Sequence, residues 1–106
     1  MNYSLHPEAL GDLRDAASFY REKAGTSLSQ SFFGEFEQSI NRLLQHPALG
    51  APWRGRGRRK YVMKHFPYSL VYTVIGEELR ILRSLIKAAG LTIGPAEGRN
   101  EITRLR

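Results

Sequence analysis

The residues best suited to chemistry lie in the second half of the chain. Arg54, Arg56, Arg58, Arg59, Lys60 and Lys64 form a run of six cations with no carboxylate among them. Such a run can hold phosphates or an acidic protein segment, with a salt-sensitive affinity in the first case. Glycines at 55 and 57 make its first part read as a flexible loop. The second part reads as strand, where Arg58 and Lys60 share one face and Arg59 takes the other. The bland alternative is a charged sheet edge that resists aggregation. Phe66-Pro67-Tyr68 reads as a turn that places Tyr68 and Tyr72 on one strand face, as target contacts or as packed core aromatics. Arg80 is a strand cation expected on the helix-free side of a sheet.

Acid–base cleavage of a phosphodiester would need a general base, a general acid and cations over the scissile phosphate. Of the three histidines, His6 precedes a helix, His46 ends one and His65 sits in a turn. Their spacing is not that of metal ligands, and nothing in the sequence brings them together. Glu77-Glu78 is a turn pair, more often solvated than catalytic. There is no G-x-S-x-G, no G-x-x-x-x-G-K and no cysteine. That removes the serine elbow, the phosphate loop, thiol catalysis, disulfides and every Cys-ligated metal site. No cofactor and no metal is implied, and no catalytic residue can be assigned.

The elements that must position these groups follow from periodicity. Tyr3 and Leu5 alternate in a short opening strand. Pro7 suits the first position of a helix, and Glu8 and Asp12 suit its positive end. Leu10, Leu13, Ala17 and Tyr20 give that helix one apolar face, and Gly25 ends it. Thr26 or Ser27 is the expected cap of a second helix. Its stripe is Leu28, Phe32, Phe36, Ile40, Leu43 and Leu44, a core face that predicts a helical hairpin. Pro47 then biases the residue before it out of helical angles. Three extended runs follow: Arg58–Lys64, alternating around Tyr61 and Met63 although Val62 blurs which face is buried; Tyr68–Ile75; and a run through Leu79, Ile81 and Ser84, after a turn at Gly76-Glu77. Short connections favour an antiparallel meander. The expected fold is α+β in the order β-α-α-β-β-β, a helical hairpin packed on a small, mainly antiparallel sheet.

Length and composition fit a single domain of 106 residues, 42% hydrophobic and 25% charged. No apolar run is long enough to span a bilayer, and the first residues lack a signal-peptide layout. The reading is cytoplasmic, with no membrane partner. Net charge is +6, and it is uneven. Residues 1–53 carry four Lys/Arg against six Asp/Glu, whereas residues 54–106 carry twelve against four. That asymmetry suggests a nucleic acid or an acidic protein as partner.

Several of these features, in this order, make residues 3–82 similar to the RelE/ParE superfamily of toxins from bacterial toxin–antitoxin modules, and to its ParE-like, plasmid-stabilisation branch. Pro7, Ala9, Asp12 and Leu13 stand in the family's early helix pattern. Leu44, Pro47, Gly50 and Pro52 match its helix-to-strand junction. Arg59 precedes two strands joined through Phe66-Pro67-Tyr68, with Val71-Tyr72 following; Phe-Pro-Tyr-x-x-x-Tyr is the most specific part. The resemblance implies inhibition of DNA gyrase by binding and neutralisation by a cognate antitoxin whose flexible segment lies along the hairpin and sheet. Target- or antitoxin-binding candidates are Arg58, Arg59, Lys60, Lys64, Phe66, Tyr68, Tyr72 and Arg80. Two alternatives follow from the same resemblance: a RelE-like endonuclease cutting ribosome-bound mRNA, and a non-toxic antitoxin-binding remnant. Non-enzymatic inhibition is the preferred reading.

The resemblance stops after Leu82. ParE-like chains continue with a His, basic residues, a Pro and a Tyr-Trp pair near a final Arg, and this chain does not. Codons permitted by Ile81 to Gly98 can be chosen so that a shifted frame reads LAVAHQSRRPDYWAGRG. One such choice begins ATC TTG CGG TCG CTC ATC, with one base restored after Ile81. Residues 82–106 are therefore predicted to be a frameshifted tail, genuine or a sequencing error, that inactivates the toxin. In domain terms, residues 1–85 form the toxin domain, and three glycines and a proline leave residues 86–106 as a loosely held tail.

Overall fold

The structure, a computed structural model, describes residues 1–86. The tail expectation for residues 87–106 lies outside the described residues. The elements are β1 (Asn2–Leu5), α1 (Pro7–Ala24), α2 (Thr26–Gln45), β2 (Ala51–Pro52), β3 (Arg58–Val62), β4 (Tyr68–Ile75) and β5 (Glu78–Ile86). The sheet runs β1-β5-β4-β3-β2. Strands β2 to β5 pair antiparallel, whereas β1 lies parallel to β5. A parallel pair needs a long crossover, which the helical hairpin and meander between β1 and β5 supply. The expected α+β architecture is present with one addition, the two-residue strand β2. It pairs Ala51 with Lys60 and Pro52 with Arg59 at the outer edge of the sheet, the one place where proline costs the ladder little.

Helix α1 starts as expected, with Pro7 in its first turn, but His6 rather than a Ser, Thr or Asp caps it: the His6 Nδ1 accepts the Glu8 N–H at 3.1 Å. The buried face is Ala9, Leu13, Ala16 and Ala17. Leu10, expected to face inward, is instead exposed, because the stripe is centred on the small residues that let the helix approach the sheet. The expected cap of α2 by Thr26 or Ser27 is also absent. Gly25 alone joins the helices, at φ 86°, and α2 has no side-chain cap. That left-handed backbone costs a glycine little, and it turns the chain within one residue.

The α2 stripe packs as expected, with Phe32, Phe36, Ile40 and Leu43 buried and Leu28 and Leu44 partly so. These residues meet Leu70, Tyr72, Leu79 and Ile81 from the sheet. Around Phe32, the rings of Tyr20, Phe66 and Tyr68 stand edge-on or tilted at centroid distances of 5.3–5.6 Å, a geometry aromatic quadrupoles favour. Tyr61 and Met63 point inward and Val62 outward, which resolves the face that Val62 left ambiguous in the sequence.

Strand β5 carries a bulge where Val71 pairs with Arg83 but Tyr72 pairs with Ile81, leaving Leu82 unpaired. Strand β1 ends at Leu5, opposite Ile81, so the β5 edge beyond it needs another partner. Asp12 of α1 provides it. Its carboxylate accepts the Ser84 N–H at 2.9 Å and two guanidinium N–H groups of Arg83 at 2.8 and 3.0 Å. No helix among the described residues is long and apolar enough to cross a membrane.

Candidate functional site

Strand pairing divides the cations of the sheet between its two faces. Arg59 pairs with Tyr72 and Tyr61 with Leu70, so these face the helices; Arg58 and Lys60 alternate to the open face. Arg80 pairs with Thr73 and lies on the open face too. The expected placements of Arg58, Arg59, Lys60 and Arg80 are thus all observed.

The open face is where a partner could be met. Arg58 and Lys60 form no ion pair among the described residues, and neither do Arg54, Arg56 or Lys64. Trp53, whose N–H bonds the Arg58 carbonyl at 2.9 Å, extends the face by one residue beyond β2. The Arg54 guanidinium lies 5.2 Å and the Lys60 Nζ 5.9 Å from the centre of its ring, within cation–π range. Arg80 is engaged with Glu78 at 3.3 Å. Hydrogen bonds from Ser4 and Arg80 hold the Glu78 carboxyl below its ordinary range. The sequence contained the signal for Trp53, an aromatic residue directly before the basic run.

The other four candidates are bound up inside the protein. Tyr72 is fully buried, its hydroxyl donating to the Pro47 carbonyl at 2.6 Å and accepting the Gly50 N–H at 2.9 Å. Burial pushes its pKa up, against the Gly50 N–H and the nearby Arg59 charge. Arg59 clamps the same junction, donating to the carbonyls of Gly50 at 2.6 Å and Ala48 at 3.3 Å. Tyr68 is buried and Phe66 half-buried in the aromatic cluster. Burial, then the Tyr20 hydroxyl and the Asp12 and Asp15 carboxylates, drive the Tyr68 hydroxyl far above its ordinary value. Burial alone takes Tyr20 to about 12. These groups shape the platform, and Arg58, Lys60, Arg80 and Lys64 present charge from it.

Two further long-range side-chain contacts escaped the sequence. Glu35, in mid-α2, is buried; it accepts the His65 N–H and its Nδ1–H, each at 2.7 Å. Burial alone would raise the Glu35 pKa, but hydrogen bonds from His65 and the Lys64 backbone outweigh it and hold it low. This pair ties the β3–β4 turn, and with it Lys64, to the helical layer. The second is Asp12 with Arg83. Its hydrogen bonds raise the Arg83 pKa further, against partial burial and with help from the Asp12 and Glu8 charges. The three histidines remain apart, at the start of α1, the end of α2 and the β3–β4 turn. Among the described residues no three His, Cys, Asp or Glu side chains gather to hold a metal ion.

A helical hairpin on one face of a five-stranded mixed sheet is the RelE/ParE-like α+β fold. Residues 3–101 match the family described as the ParE toxin of the type II toxin–antitoxin system, parDE; the chain belongs to that family. The match runs past residue 82, where the motif resemblance ends. Among solved structures, a chain of the chromosomal ParDE system from P. aeruginosa superposes with a TM-score of 0.73 at 21% identity, covering 82% of this chain and 96% of that one. A chain of the intact E. coli RelBE toxin–antitoxin complex gives 0.56 at 19% identity, covering 82% and 95%. The isolated E. coli RelE toxin gives 0.56 at 16%, covering 97% and 95%. At these identities the shared property is the fold. No curated protein matches the sequence.

Proposed function

We propose that this ParE-family toxin acts in the cytoplasm by binding DNA gyrase and inhibiting it, with no covalent chemistry of its own. A cognate antitoxin neutralises it by lying along the helical hairpin and the sheet. The observation that carries this reading is the family match over residues 3–101. The geometry supports it: two of the three histidines serve the fold. His6 caps α1 and His65 pairs with Glu35, while Arg58 and Lys60 are left for contact.

The altered C-terminus disables toxicity and spares antitoxin binding. Two positions in β5 support a shifted frame after Ile81. Ser84 faces Leu70 in the interior, 3% exposed, with its hydroxyl unpartnered, whereas Ile86 is 57% exposed. The restored frame would put Val at 84 and His at 86, an apolar residue inside and a polar one outside. The strand itself survives either frame, because Asp12 also accepts the backbone N–H of Ser84.

Growth after induced expression tests this, comparing the chain with a version whose frame is restored after Ile81. Arrest by the restored version alone is the expected result. Arrest by both would remove the inactivation, and arrest by neither would remove most support for toxicity. Cleavage of ribosome-bound messages by the purified protein would replace gyrase inhibition with the endonuclease alternative. Tight antitoxin binding by both versions, without growth arrest, would leave the binding remnant.

A further inference from the structure

The outer edge of the sheet carries apolar and cationic groups on one side. The pairs Ala51–Lys60 and Pro52–Arg59, and the bond from the Trp53 N–H to the Arg58 carbonyl, fix the register of this edge. Carried two residues the other way, the same register sets Leu49 opposite Val62. Alternation then puts Leu49, Ala51 and Trp53 on the open side with Arg58, Lys60 and Val62, while Gly50 faces inward onto the Tyr72 ring. Leu49 is 50% exposed and Val62 48%. Behind this edge the open face is closed, since Ser69 is 2% and Val71 1% exposed. A partner on this side therefore meets the edge, which runs about 13 Å from Arg58 to Val62.

More cations flank it. Gly55 and Gly57 turn the chain at φ 87° and 68°, and Arg54 and Arg56 of that turn are exposed. Lys64 is exposed in the turn beyond Val62. Between Glu37 and Glu77 the chain holds no Asp or Glu, so nothing in this segment repels an anion. The carboxylates Glu78 and Glu8 lie on the far side of the sheet, beside Arg80 and Arg83.

We infer that this edge adsorbs to an anionic lipid surface, with lipid phosphates at Arg54, Arg56, Arg58 and Lys60, Leu49 and Val62 at the acyl boundary, and Trp53 at headgroup level. Tryptophan is enriched at that level, and surface Lys/Arg clusters are drawn to anionic lipid. The Arg54 guanidinium and the Lys60 Nζ lie 5.2 and 5.9 Å from the centre of the indole ring, so ring and cations reach the same depth. An acidic peptide or a phosphodiester backbone would pair with the cations and leave Leu49 and Val62 in water. A lipid surface takes both kinds of group, as interfacial segments with basic and apolar residues do. The want of a spanning run, from which no membrane partner was expected, bears on insertion and not on adsorption. The inference is independent of the gyrase reading, since it concerns a contact the free protein makes with lipid.

Trp53 is the sole tryptophan, so its emission reports on this edge directly. The full chain would be mixed with vesicles of phosphatidylcholine, alone or with phosphatidylglycerol, at low and high salt. Polyglutamate and a single-stranded oligonucleotide would serve as soluble polyanions. Co-sedimentation with the phosphatidylglycerol vesicles, falling with salt, is expected, with little on phosphatidylcholine. Trp53 emission should move to the blue and be quenched by brominated lipid, whereas polyglutamate should leave its wavelength unchanged. Arg54→Gln with Arg56→Gln should weaken vesicle binding roughly thirtyfold at low salt, about fivefold for each charge. Leu49→Ser with Val62→Thr, at half-exposed side chains, should weaken it about tenfold and leave polyglutamate binding unchanged. No binding to the phosphatidylglycerol vesicles, binding without a shift of Trp53 emission, or equal loss of vesicle and polyglutamate binding on changing Leu49 and Val62 would overturn the inference. Tighter binding of either polyanion than of the vesicles at equal salt would assign the edge to that polyanion instead.

Discussion

Removing a single oxygen atom tests how the basic platform is held. In Tyr72→Phe the ring still fills its place among Leu70, Leu79 and Ile81, so packing is preserved. What is lost is a hydroxyl that donates to Pro47 at 2.6 Å and accepts the Gly50 N–H at 2.9 Å. Gly50 is buried, so its N–H is left without a partner, at a cost of about 1–3 kcal/mol. Pro47 is partly exposed, so water can replace the hydroxyl there and the second loss is near 1 kcal/mol. The expected destabilisation is about 2–3 kcal/mol. In urea unfolding that lowers the midpoint by on the order of 1–2 M at an unchanged slope. Tyr68→Phe is the control: its hydroxyl makes no hydrogen bond among the described residues, so the change should stay within about 0.5 kcal/mol. If Tyr72→Phe also unfolds within about 0.5 kcal/mol of the parent, the junction is not what anchors β2 and Trp53.

Three other outcomes follow from the same geometry. Gly50→Ala places a Cβ 2.8 Å from the Tyr72 ring and hydroxyl and 2.9 Å from the Lys60 carbonyl; thermal unfolding should show a loss of about 1–3 kcal/mol. Glu35 has a folded-state pKa below its unfolded value near 4.5. Its contribution is therefore present above that value and lost as pH falls through the lower, folded one. Stability measured down the acid limb should fall less steeply in Glu35→Gln, which is already weaker at neutral pH. Neutralising Arg58 and Lys60 together should weaken partner binding more at low salt than at high salt, because exposed charges are screened; neutralising Arg59 should instead lower stability, since it clamps Gly50 and Ala48. Equal loss of binding at both salts would count against an electrostatic contact.

The elements were legible where side-chain period is strong. The α2 stripe from Phe32 to Leu43, the alternation around Tyr61 and Met63, and the turn at Gly76-Glu77 stand in the structure as the sequence implied. Strand β2 was not, because two residues carry no period and one is a proline. The inward face of α1 was read correctly at Leu13 and Ala17, but Leu10 was placed inside where Ala9 and Ala16 are buried instead, since periodicity weights large side chains over close approach. Strand alternation gave the shared face of Arg58 and Lys60 opposite Arg59 and the helix-free side for Arg80; that the shared face is the open one came only with the pairing of Arg59 to Tyr72. Glu35–His65 and Asp12–Arg83 could not be read, since the partners are separated by 30 and 71 residues and meet only once the helices lie on the sheet. Trp53 was visible as the aromatic residue before the basic run, but its place beside the Arg54 and Lys60 side chains was not.

The most direct measurement is DNA supercoiling by purified gyrase in the presence of this chain and of its frame-restored form. The expected result is inhibition by the restored form, reversed by the cognate antitoxin, with little inhibition by the chain as it stands. Undiminished supercoiling with the restored form, in a preparation that still binds the antitoxin, would contradict gyrase as the target.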